Sequence, residues 1–491
     1  MSYLSIGFAV FVTILFGVYQ VVTPKLRWKL LLGASIFFYL CFDVRYVIFL
    51  LFVAMSTFYA AKQIARKSEE KKKKKILLIT LVWNVLLWFA IKVLPWCGTV
   101  VNSMIGKIIE GGSISLPSFI VPVGISYYTL MAISYLVDVY KGKIEKEENF
   151  FKYLLYLTYF PTIVQGPISR YDKVREQLTA GKKIDFEKFR QNLLLILFGL
   201  IKKMVIADRV AIFANHCFSN YETMEGPILY VGAVCYSIQL YMDFSGCVDI
   251  CRGVSALFGI DLIDNFNAPY FARSIKEFWR KWHISLSSWL KDYVYIPLGG
   301  NRKGQKRKYM NLLTTFFVSG IWHGAGINFM FWGLLHGVYQ TIGDITAGQR
   351  KKIRTTLQIK DGSVSEKIYQ TIITFNLVTF AWIFFRSTRF LSGIEYVGNM
   401  LRFSSVEKLF DGSMFITGFS FAQCVVVLVN IIMISVMDYF RSKKNKNLMD
   451  GILNSHILVR WIIYFILIYD VILFGVYGQG YDMSGFLYGG F

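Results

Sequence analysis

Residues 276–304 read KEFWRKWHISLSSWLKDYVYIPLGGNRKG, and residues 316–337 read FFVSGIWHGAGINFMFWGLLHG. The first stretch is basic and rich in tryptophan, whereas the second is apolar and carries two histidines. The chain has five histidines in 491 residues, and three of them fall in this window: His283, His323 and His336. A histidine in an apolar segment indicates a functional site by default, so we expect the chemistry of the protein here.

The first stretch predicts an amphipathic helix, because a step of about 100° per residue gathers its apolar side chains on one arc. That arc holds Phe278, Trp279, Trp282, Leu286, Trp289, Leu290 and Tyr293. The cations outside it are Lys276, Arg280, Lys281 and Lys291. His283 lies at the border of the two faces, and Pro297 with Gly299 and Gly300 ends the helix. Tryptophans opposite cations are typical of a helix at a membrane interface, where the cations would attract the phosphates of a ligand.

The second stretch predicts a helix, or a pair of helices, in the interior of a bundle. Its pattern G-x-x-H-G occurs twice, at 320–324 and 333–337, and glycines four residues apart let a neighbouring backbone or a thin ligand come close. In one continuous helix, His323 and His336 would differ by about 140° and about 20 Å, so they could not serve one reaction as a pair. The alternative for each histidine is a ring satisfied by a backbone carbonyl, and a functional role is favoured for His323 over His336.

Composition places the chain among multi-pass membrane proteins. Hydrophobic residues make up 55%, aromatic residues 17%, and the mean hydropathy is +0.46. The net charge is +23, and the cations lie mainly between apolar runs. The excess of Lys and Arg that is typical of cytoplasmic loops explains this distribution. No nucleic-acid motif accompanies the charge, so nucleic acid is not expected as a partner. Seven cysteines are interpreted as buried thiols, and no metal site is predicted.

Apolar runs predict an all-α fold of roughly eleven transmembrane helices with re-entrant and interfacial helices, in a single domain over residues 1–491 with its signature core at 276–337. Outside the core, the predicted spans are 3–22, 30–42, 46–61, 76–96, 119–140, 150–169, 193–206, 227–244, 369–385, 415–440 and 457–477. Prolines and glycines within 150–169 favour a broken helix that lines a cavity. Basic segments at 23–29 and 62–75 are expected in the cytoplasm, with a Gly/Ser-containing external loop at 98–118.

The predicted span 227–244 carries one carboxylate near its end, and a second carboxylate lies just beyond it. Asp243 and Asp249 would be costly at membrane depth unless paired, and Arg252 or Arg209 are the expected partners. A structural ion pair is favoured over a proton relay, because no third titratable group is apparent in series.

The window and the rest of the chain resemble one family of membrane enzymes. WRKWHISLSSWLKDYVYIPLGGNRKG, SGIWHG and WGLLHG are similar to the membrane-bound O-acyltransferase family, and to its alginate O-acetylation (AlgI-like) branch in particular. The similarity extends over most of the chain, in matching order, through segments at 34–46, 121–140, 160–171, 236–246, 379–386 and 474–491: ASIFFYLCFDVRY, VPVGISYYTLMAISYLVDVY, FPTIVQGPISRY, YSIQLYMDFSG, TFAWIFFR and FGVYGQGYDMSGFLYGGF.

The resemblance implies acyl transfer from a thioester to a hydroxyl, with His323 as the base and His283 orienting the thioester carbonyl. The residues expected to bind the donor are Lys276, Arg280, Lys281, Lys291, Trp279 and Trp282. The residues expected to line a central passage are Trp322, Gly320, Gly324, Asp243 and His336. No cofactor is expected to be bound permanently, since acetyl-CoA or an acyl-carrier thioester would be the donor substrate. No G-x-S-x-G motif is present, which favours direct attack over an acyl-enzyme.

The acceptor stays open at this point. The alginate-type pattern implies an exported polysaccharide, or a partner of the SGNH-hydrolase kind that modifies it, in the lipid of a bacterial cytoplasmic membrane. A teichoic acid D-alanyl transfer protein is a more distant pattern. A transporter would also carry broken helices and intramembrane Asp and His residues, and a scaffold for surface-polymer assembly would need no chemistry. Neither alternative requires the tryptophan-lined segment that brings His283 toward His323.

Overall fold

The computed structural model describes residues 1–109, 120–183, 185–224, 226–356, 358–360, 362–402, 406–412, 414–415, 419–444 and 448–477. Every regular element in these residues is a helix, as the predicted all-α class requires. The helices of the first half are α1 (Ile6–Val21), α2 (Pro24–Leu40), α3 (Tyr46–Arg66), α4 (Glu70–Lys92), α5 (Leu94–Ile108), α6 (Ile125–Tyr140), α7 (Phe150–Thr158), α8 (Tyr171–Ala180), α9 (Phe186–Leu200), π1 (Ile201–Ala207), α10 (Asp208–Ser219) and α11 (Pro227–Leu257).

The second half contains shorter helices around the signature core and longer ones after it. They are a 3₁₀ turn (Pro269–Phe271), α12 (Ile275–Lys281), α13 (Ile284–Leu290), π2 (Lys291–Tyr295), α14 (Gly304–His323), α15 (Ile327–Ile345), α16 (Ala347–Thr356), α17 (Val364–Arg386), α18 (Phe390–Met400), a 3₁₀ turn (Val406–Leu409), α19 (Phe421–Lys444), α20 (Leu448–Leu453) and α21 (Ile457–Phe474).

Five of the described helices are long and apolar enough to cross a membrane: α3, α4, α17, α19 and α21. The shorter α1 is also apolar. Multiple membrane-spanning helices are therefore present, whereas the number eleven stays a prediction. Many large apolar side chains on these helices face outward, and α21 has only 6% of its apolar window buried within the protein. An apolar exterior of this kind is what a lipid environment favours.

The helices form two compact units. One comprises Met1–Ile196 and Ile250–Ile263, and the other comprises Leu197–Asp249 and the described residues from Asp264 onward. All three histidines of the signature core belong to the second unit. The prediction of a single domain over residues 1–491 stays a prediction.

The first unit corrects the expected basic loop at 23–29. Pro24 starts α2, since a proline at the first helical position costs no hydrogen bond. Arg27 is then buried within the first turns, where its guanidinium donates to the carbonyl oxygens of Val22, Gln20 and Gly181. Because three carbonyl oxygens accept from this buried guanidinium, residues 24–29 can be part of the helix. α2 is therefore 17 residues long, whereas a 13-residue apolar run after a loop was expected.

Two further predictions in this unit have different outcomes. The broken helix at 150–169 is confirmed, because α7 ends at Thr158 and non-helical backbone follows. The external loop predicted at 98–118 is wrong in its first part, where α5 continues to Ile108. The rest of that loop, from residue 110, lies outside the described residues.

Candidate active site

His323 is the last residue of α14, and one hydrogen bond fixes its ring. Its Nδ1 lies 2.7 Å from the carbonyl oxygen of Ser319, one turn earlier. A carbonyl only accepts, so Nδ1 carries the proton and donates. In a neutral ring, Nε2 then bears the lone pair, which is the form that a general base requires.

Aromatic rings enclose this imidazole, and His323 is only 2% exposed. Its ring centroid lies 4.8 Å from that of Trp322, 4.9 Å from that of Trp332 and 5.5 Å from that of Phe385. All three contacts are edge to face, a favourable arrangement for aromatic pairs. The imidazole of His323 therefore lies in surroundings that hold its orientation and limit the access of water.

The two G-x-x-H-G motifs lie on separate helices that pack against each other. α14 ends at His323, and α15 begins three residues after Gly324. A Cβ on Gly320 would lie 2.4 Å from the Phe329 carbonyl oxygen, and one on Gly333 would lie 2.3 Å from that of Phe316. The predicted close backbone approach is thus present at both glycines. A helix pair replaces the single-helix alternative, so the separation calculated for one helix does not apply.

His283 lies at a break that the amphipathic pattern did not predict. Two short helices, α12 and α13, replace the single expected helix, and His283 precedes α13 with φ of 43°. A left-handed backbone is uncommon in residues other than glycine and is often found at functional sites. The His283 side chain is fully buried, with its ring centroid 4.8 Å from that of Phe244 and 6.1 Å from that of Trp322.

Asn265 holds the break in place from outside the motif. Its backbone carbonyl accepts from the N–H of Ile284 at 3.0 Å, and its side-chain Oδ1 accepts from the N–H of Ser285 at 2.9 Å. These N–H groups belong to the first turn of α13, where no helical acceptor is available. The turn therefore depends on tertiary hydrogen bonds, which explains why helical periodicity did not reveal it.

The two predicted catalytic histidines come together around Trp322. The centroid of the Trp322 ring lies 6.1 Å from that of His283 and 4.8 Å from that of His323. The tryptophans of the first stretch are buried within the protein, with Trp279 at 7%, Trp282 at 1% and Trp289 at 6% exposure. They pack inside the protein, whereas a membrane-interface helix would require them to face outward.

The four predicted donor-binding cations differ in their exposure and in their side-chain partners. Lys276, Arg280 and Lys291 are exposed, whereas Lys281 has its ammonium 3.0 Å from Glu277 and donates to the Ser442 hydroxyl. Burial raises the pKa of Glu277, but the N–H of Arg273 and the Lys281 ammonium outweigh burial, so the pKa lies below its usual value. Glu277 therefore stays ionised and pairs with Lys281, which makes Lys281 the least available of the four cations for a phosphate group.

Asp243 and Asp249 each form an ion pair with a lysine of π1 that was not among the expected partners, and their pairing with Arg252 stays a prediction. Lys203 contacts Asp243 and also lies 2.7 Å from Asp208, and Lys202 lies 2.7 Å from Asp249. Arg209 instead donates to the carbonyl oxygen of Phe474. A third titratable group is nevertheless present in series, because Lys203 joins Asp243 to Asp208.

The lysine pair was missed although the sequence carries a signal for it. Lys202 and Lys203 interrupt the predicted span 193–206, and two cations in an apolar run require acidic partners. The segment π1 places both adjacent lysines against carboxylates of α11. Asp243 also precedes Phe244 in α11, so this ion pair supports the helix that contacts the His283 ring.

Comparison with known proteins gives the family. The model of the membrane-bound O-acyltransferase family matches residues 31–394. A protein of Pseudomonas syringae pv. tomato named "Probable alginate O-acetylase AlgI" is 33% identical over 67% of this chain and 61% of its own length. A peptidoglycan O-acetyltransferase of Helicobacter pylori is 32% identical over 78% of this chain and 75% of its own. A teichoic acid D-alanyltransferase of Bacillus subtilis is 28% identical over 54% and 69%.

The chain covers less than two thirds of the length of the alginate O-acetylase relatives, 61% and 65% in two of them. The family match is broader, since it includes His283 and His323 and most of the chain around them. With that match, the chain belongs to the membrane-bound O-acyltransferase family.

Proposed function

We propose that the protein transfers an acyl group, most simply acetyl, from a cytoplasmic thioester donor to a hydroxyl of an exported cell-surface polysaccharide, or to a partner protein of the SGNH kind that modifies it. The observation that carries the proposal is the hydrogen bond from His323 Nδ1 to the Ser319 carbonyl oxygen. It leaves Nε2 as the basic nitrogen, and His283 lies across Trp322 from that ring. The membrane is proposed to be a bacterial cytoplasmic membrane, with lipid around the exposed apolar helices.

The reaction follows from one base and one orienting group. His323 Nε2 removes the proton from the acceptor hydroxyl as its oxygen attacks the thioester carbon, and a C–O bond forms. The tetrahedral intermediate collapses with cleavage of the C–S bond, and the leaving thiolate takes the proton from Nε2. His283 donates a hydrogen bond to the thioester carbonyl oxygen, where negative charge develops. No acyl-enzyme is needed, and the proton count balances without an outside acid.

The donor's phosphates would meet the exposed cations of α12 and π2. Lys276, Arg280 and Lys291 present three charges outside the aromatic cluster, and phosphate groups bind such cations through charge-assisted hydrogen bonds. The proposed donor is therefore acetyl-CoA, used as a substrate. Trp279 and Trp282 are buried within the protein, and their contact with the donor stays a prediction.

A D-alanyl group from a carrier protein is the second candidate, supported by the Bacillus subtilis relative. The two acetyl-transferring relatives cover more of this chain, at 67% and 78% against 54%, which favours acetyl. Comparison of the two donors with one purified preparation separates the candidates, because turnover of only the D-alanyl carrier thioester would contradict acetyl transfer.

The test of the proposed function is thioester turnover by the purified protein in lipid nanodiscs. We expect His323→Asn to lower acetyl-CoA turnover by about 100-fold or more, since general-base catalysis contributes about 10²–10⁴-fold. His456→Asn is the matched control, because His456 is exposed before α21 and its side chain accepts from the Leu458 N–H, a role that asparagine retains. Equal turnover by wild type and His323→Asn would contradict the proposed base.

A further inference from the structure

His336 lies in α15, fully buried, in a cluster of aromatic side chains. The rings within about 6 Å of its imidazole come from α12, α14, α15 and α17: Phe278, Trp279, Phe316, Trp332, Tyr339 and Trp382. A polar ring in such surroundings is costly unless it is hydrogen-bonded. A phenylalanine would fill the same space at lower cost. Packing alone therefore does not explain a histidine at position 336.

A hydrogen bond from Trp279 supplies a partner. The indole Nε1–H of Trp279 donates to His336 Nδ1 over 3.3 Å. An indole nitrogen only donates, so Nδ1 of His336 accepts and its ring proton is on Nε2. This assignment is opposite to that of His323, where Nδ1 carries the proton. The two histidines of the G-x-x-H-G motifs thus carry their ring protons on different nitrogens.

The contacts of His336 reach both proposed catalytic histidines. Trp279 lies in α12, four residues before His283. Trp332 lies between the two imidazoles of the helix pair, 5.2 Å from the His336 ring and 4.9 Å from the His323 ring. The same Trp332 ring packs edge-on against Trp279 at 5.8 Å. A shift of His336 would therefore be transmitted to α12 and to the Trp332 wall of the base.

We propose that His336 is a positioning residue, which through its hydrogen bond with Trp279 fixes the segment carrying His283 against the helices that hold His323. The proposal rests on the proposed function, since it assigns His336 a part in the geometry of that site. His336 does not touch the reacting atoms. It acts through Trp279 and Trp332, and it works only as a hydrogen-bond acceptor at Nδ1.

This role gives a kinetic signature. The distance between the base and the carbonyl-orienting group affects the transition state, whereas the donor's phosphates bind elsewhere, on exposed cations. Misplacement of a catalytic group by about 1 Å can cost about 100-fold in rate. Loss of the Trp279 to His336 bond should therefore lower kcat by about 10- to 100-fold and change the KM for acetyl-CoA little.

The test compares four variants in nanodiscs: His336→Phe, Trp279→Phe, the double variant and His336→Asn. The first two each remove one partner, so each should lower kcat, and the double variant should be no worse than the worse single variant. Asparagine offers an acceptor oxygen at about the position of Nδ1, so His336→Asn should recover most of kcat. Trp461→Phe in α21 is the matched control, because Trp461 is 52% exposed and should leave kcat unchanged.

A second measurement does not depend on turnover. In protein with ¹⁵N-labelled histidine rings, His336→Phe should shift the ring resonances of His283 and His323, and His336→Asn should restore them. Multiplicative effects of the single substitutions, a change confined to KM, or unmoved resonances would overturn the positioning role. If no donor is turned over even by wild-type protein, the proposed function fails, and the resonances alone then decide the position of His336.

Discussion

At the scale of residues, the candidate site uses backbone groups as much as side chains. The Ser319 carbonyl sets the proton on His323, and the Asn265 carbonyl and amide hold the left-handed turn at His283. The histidines themselves could be selected from the sequence, because they are rare and lie in apolar or tryptophan-rich surroundings. Their acceptors could not, since Asn265 lies 18 residues before His283 in a segment without a motif.

Replacement of Asn265 tests the turn. We expect Asn265→Ala to lower kcat for thioester turnover by about tenfold or more, because the N–H of Ser285 loses its acceptor and His283 is released. Asn265→Asp keeps an acceptor oxygen and should retain more activity. Asn267→Ala is the control, since Asn267 contributes its backbone N–H to the Lys281 carbonyl. Steady-state kinetics decide the matter, and equal losses for the alanine variants at 265 and 267 would contradict the assignment.

Gly320 gives a prediction about stability. A methyl group there would lie 2.4 Å from the Phe329 carbonyl oxygen, which α15 cannot withdraw without losing its own helical bonds. We expect Gly320→Ala to destabilise the protein by about 1–3 kcal/mol, the usual cost of overpacking. Gly343→Ala in α15 has open space around it and should stabilise by up to about 1 kcal/mol. Thermal unfolding in detergent measures both, and a tolerated Gly320→Ala would mean that the helices are less closely packed.

At the scale of elements, breaks in helices place the functional groups. The α12–α13 break leaves backbone N–H groups beside His283 that bond to Asn265, and the α14–α15 break leaves His323 at a helix end. The segment π1 turns two adjacent lysines toward α11. Periodicity and apolar length predicted the helices themselves and the broken segment after α7. The breaks at His283 and at π1 depend on tertiary hydrogen bonds and ion pairs, which leave no periodic signal in the chain.

The ion pair of π1 supports an element-scale prediction. Lys203→Met would leave Asp243 and Asp208 buried without their cation, and breaking such a pair costs about 3–5 kcal/mol. We therefore expect a large fall in the unfolding midpoint. Lys72→Met is the matched control, since Lys72 pairs with Glu69 on the exposed start of α4 and should change stability little. A double variant with Asp243→Asn should recover part of the loss, and no difference between the two lysines would contradict the role of the buried pair.

The cations of α12 give a kinetic prediction. We expect Arg280→Glu to raise the KM for acetyl-CoA, because an exposed cation would contact donor phosphates in both the ground state and the transition state. Lys281→Glu should behave differently, since Lys281 is bound by Glu277 and Ser442 and its loss would disturb α12 itself. Initial rates over a range of acetyl-CoA concentrations measure both. An unchanged KM with a collapsed kcat for Arg280→Glu would place the donor entrance elsewhere.

At the scale of the whole molecule, the proposed cytoplasmic donor and the proposed external acceptor must meet without an open channel. The basic residues 302–308 are expected in the cytoplasm, and α14 is continuous from Gly304 to His323. At 1.5 Å per residue, His323 lies about 20 Å beyond Tyr309 along this helix, which predicts a depth near the middle of a bilayer. A narrow passage at that depth would let a thioester meet a hydroxyl and exclude competing water.

Cysteine substitution tests the passage in a background that keeps activity but lacks the seven native cysteines. A cysteine in place of Ala325, two residues beyond His323 and half-buried, should react with small thiol reagents added from either side of sealed vesicles. A cysteine in place of Ser35, which is fully buried in α2, should react from neither side. If the cysteine at position 325 reacts from neither side of the membrane in an active protein, that result would contradict a passage open to both faces.

The Ser319 carbonyl that orients the His323 ring belongs to the main chain. An alanine scan would therefore pass over position 319 as tolerant, because the carbonyl oxygen would continue to accept from His323. Only a change to the peptide linkage itself would reveal it. Semisynthesis with an ester in place of the amide between Ser319 and Gly320 would weaken that oxygen as an acceptor, with every side chain retained.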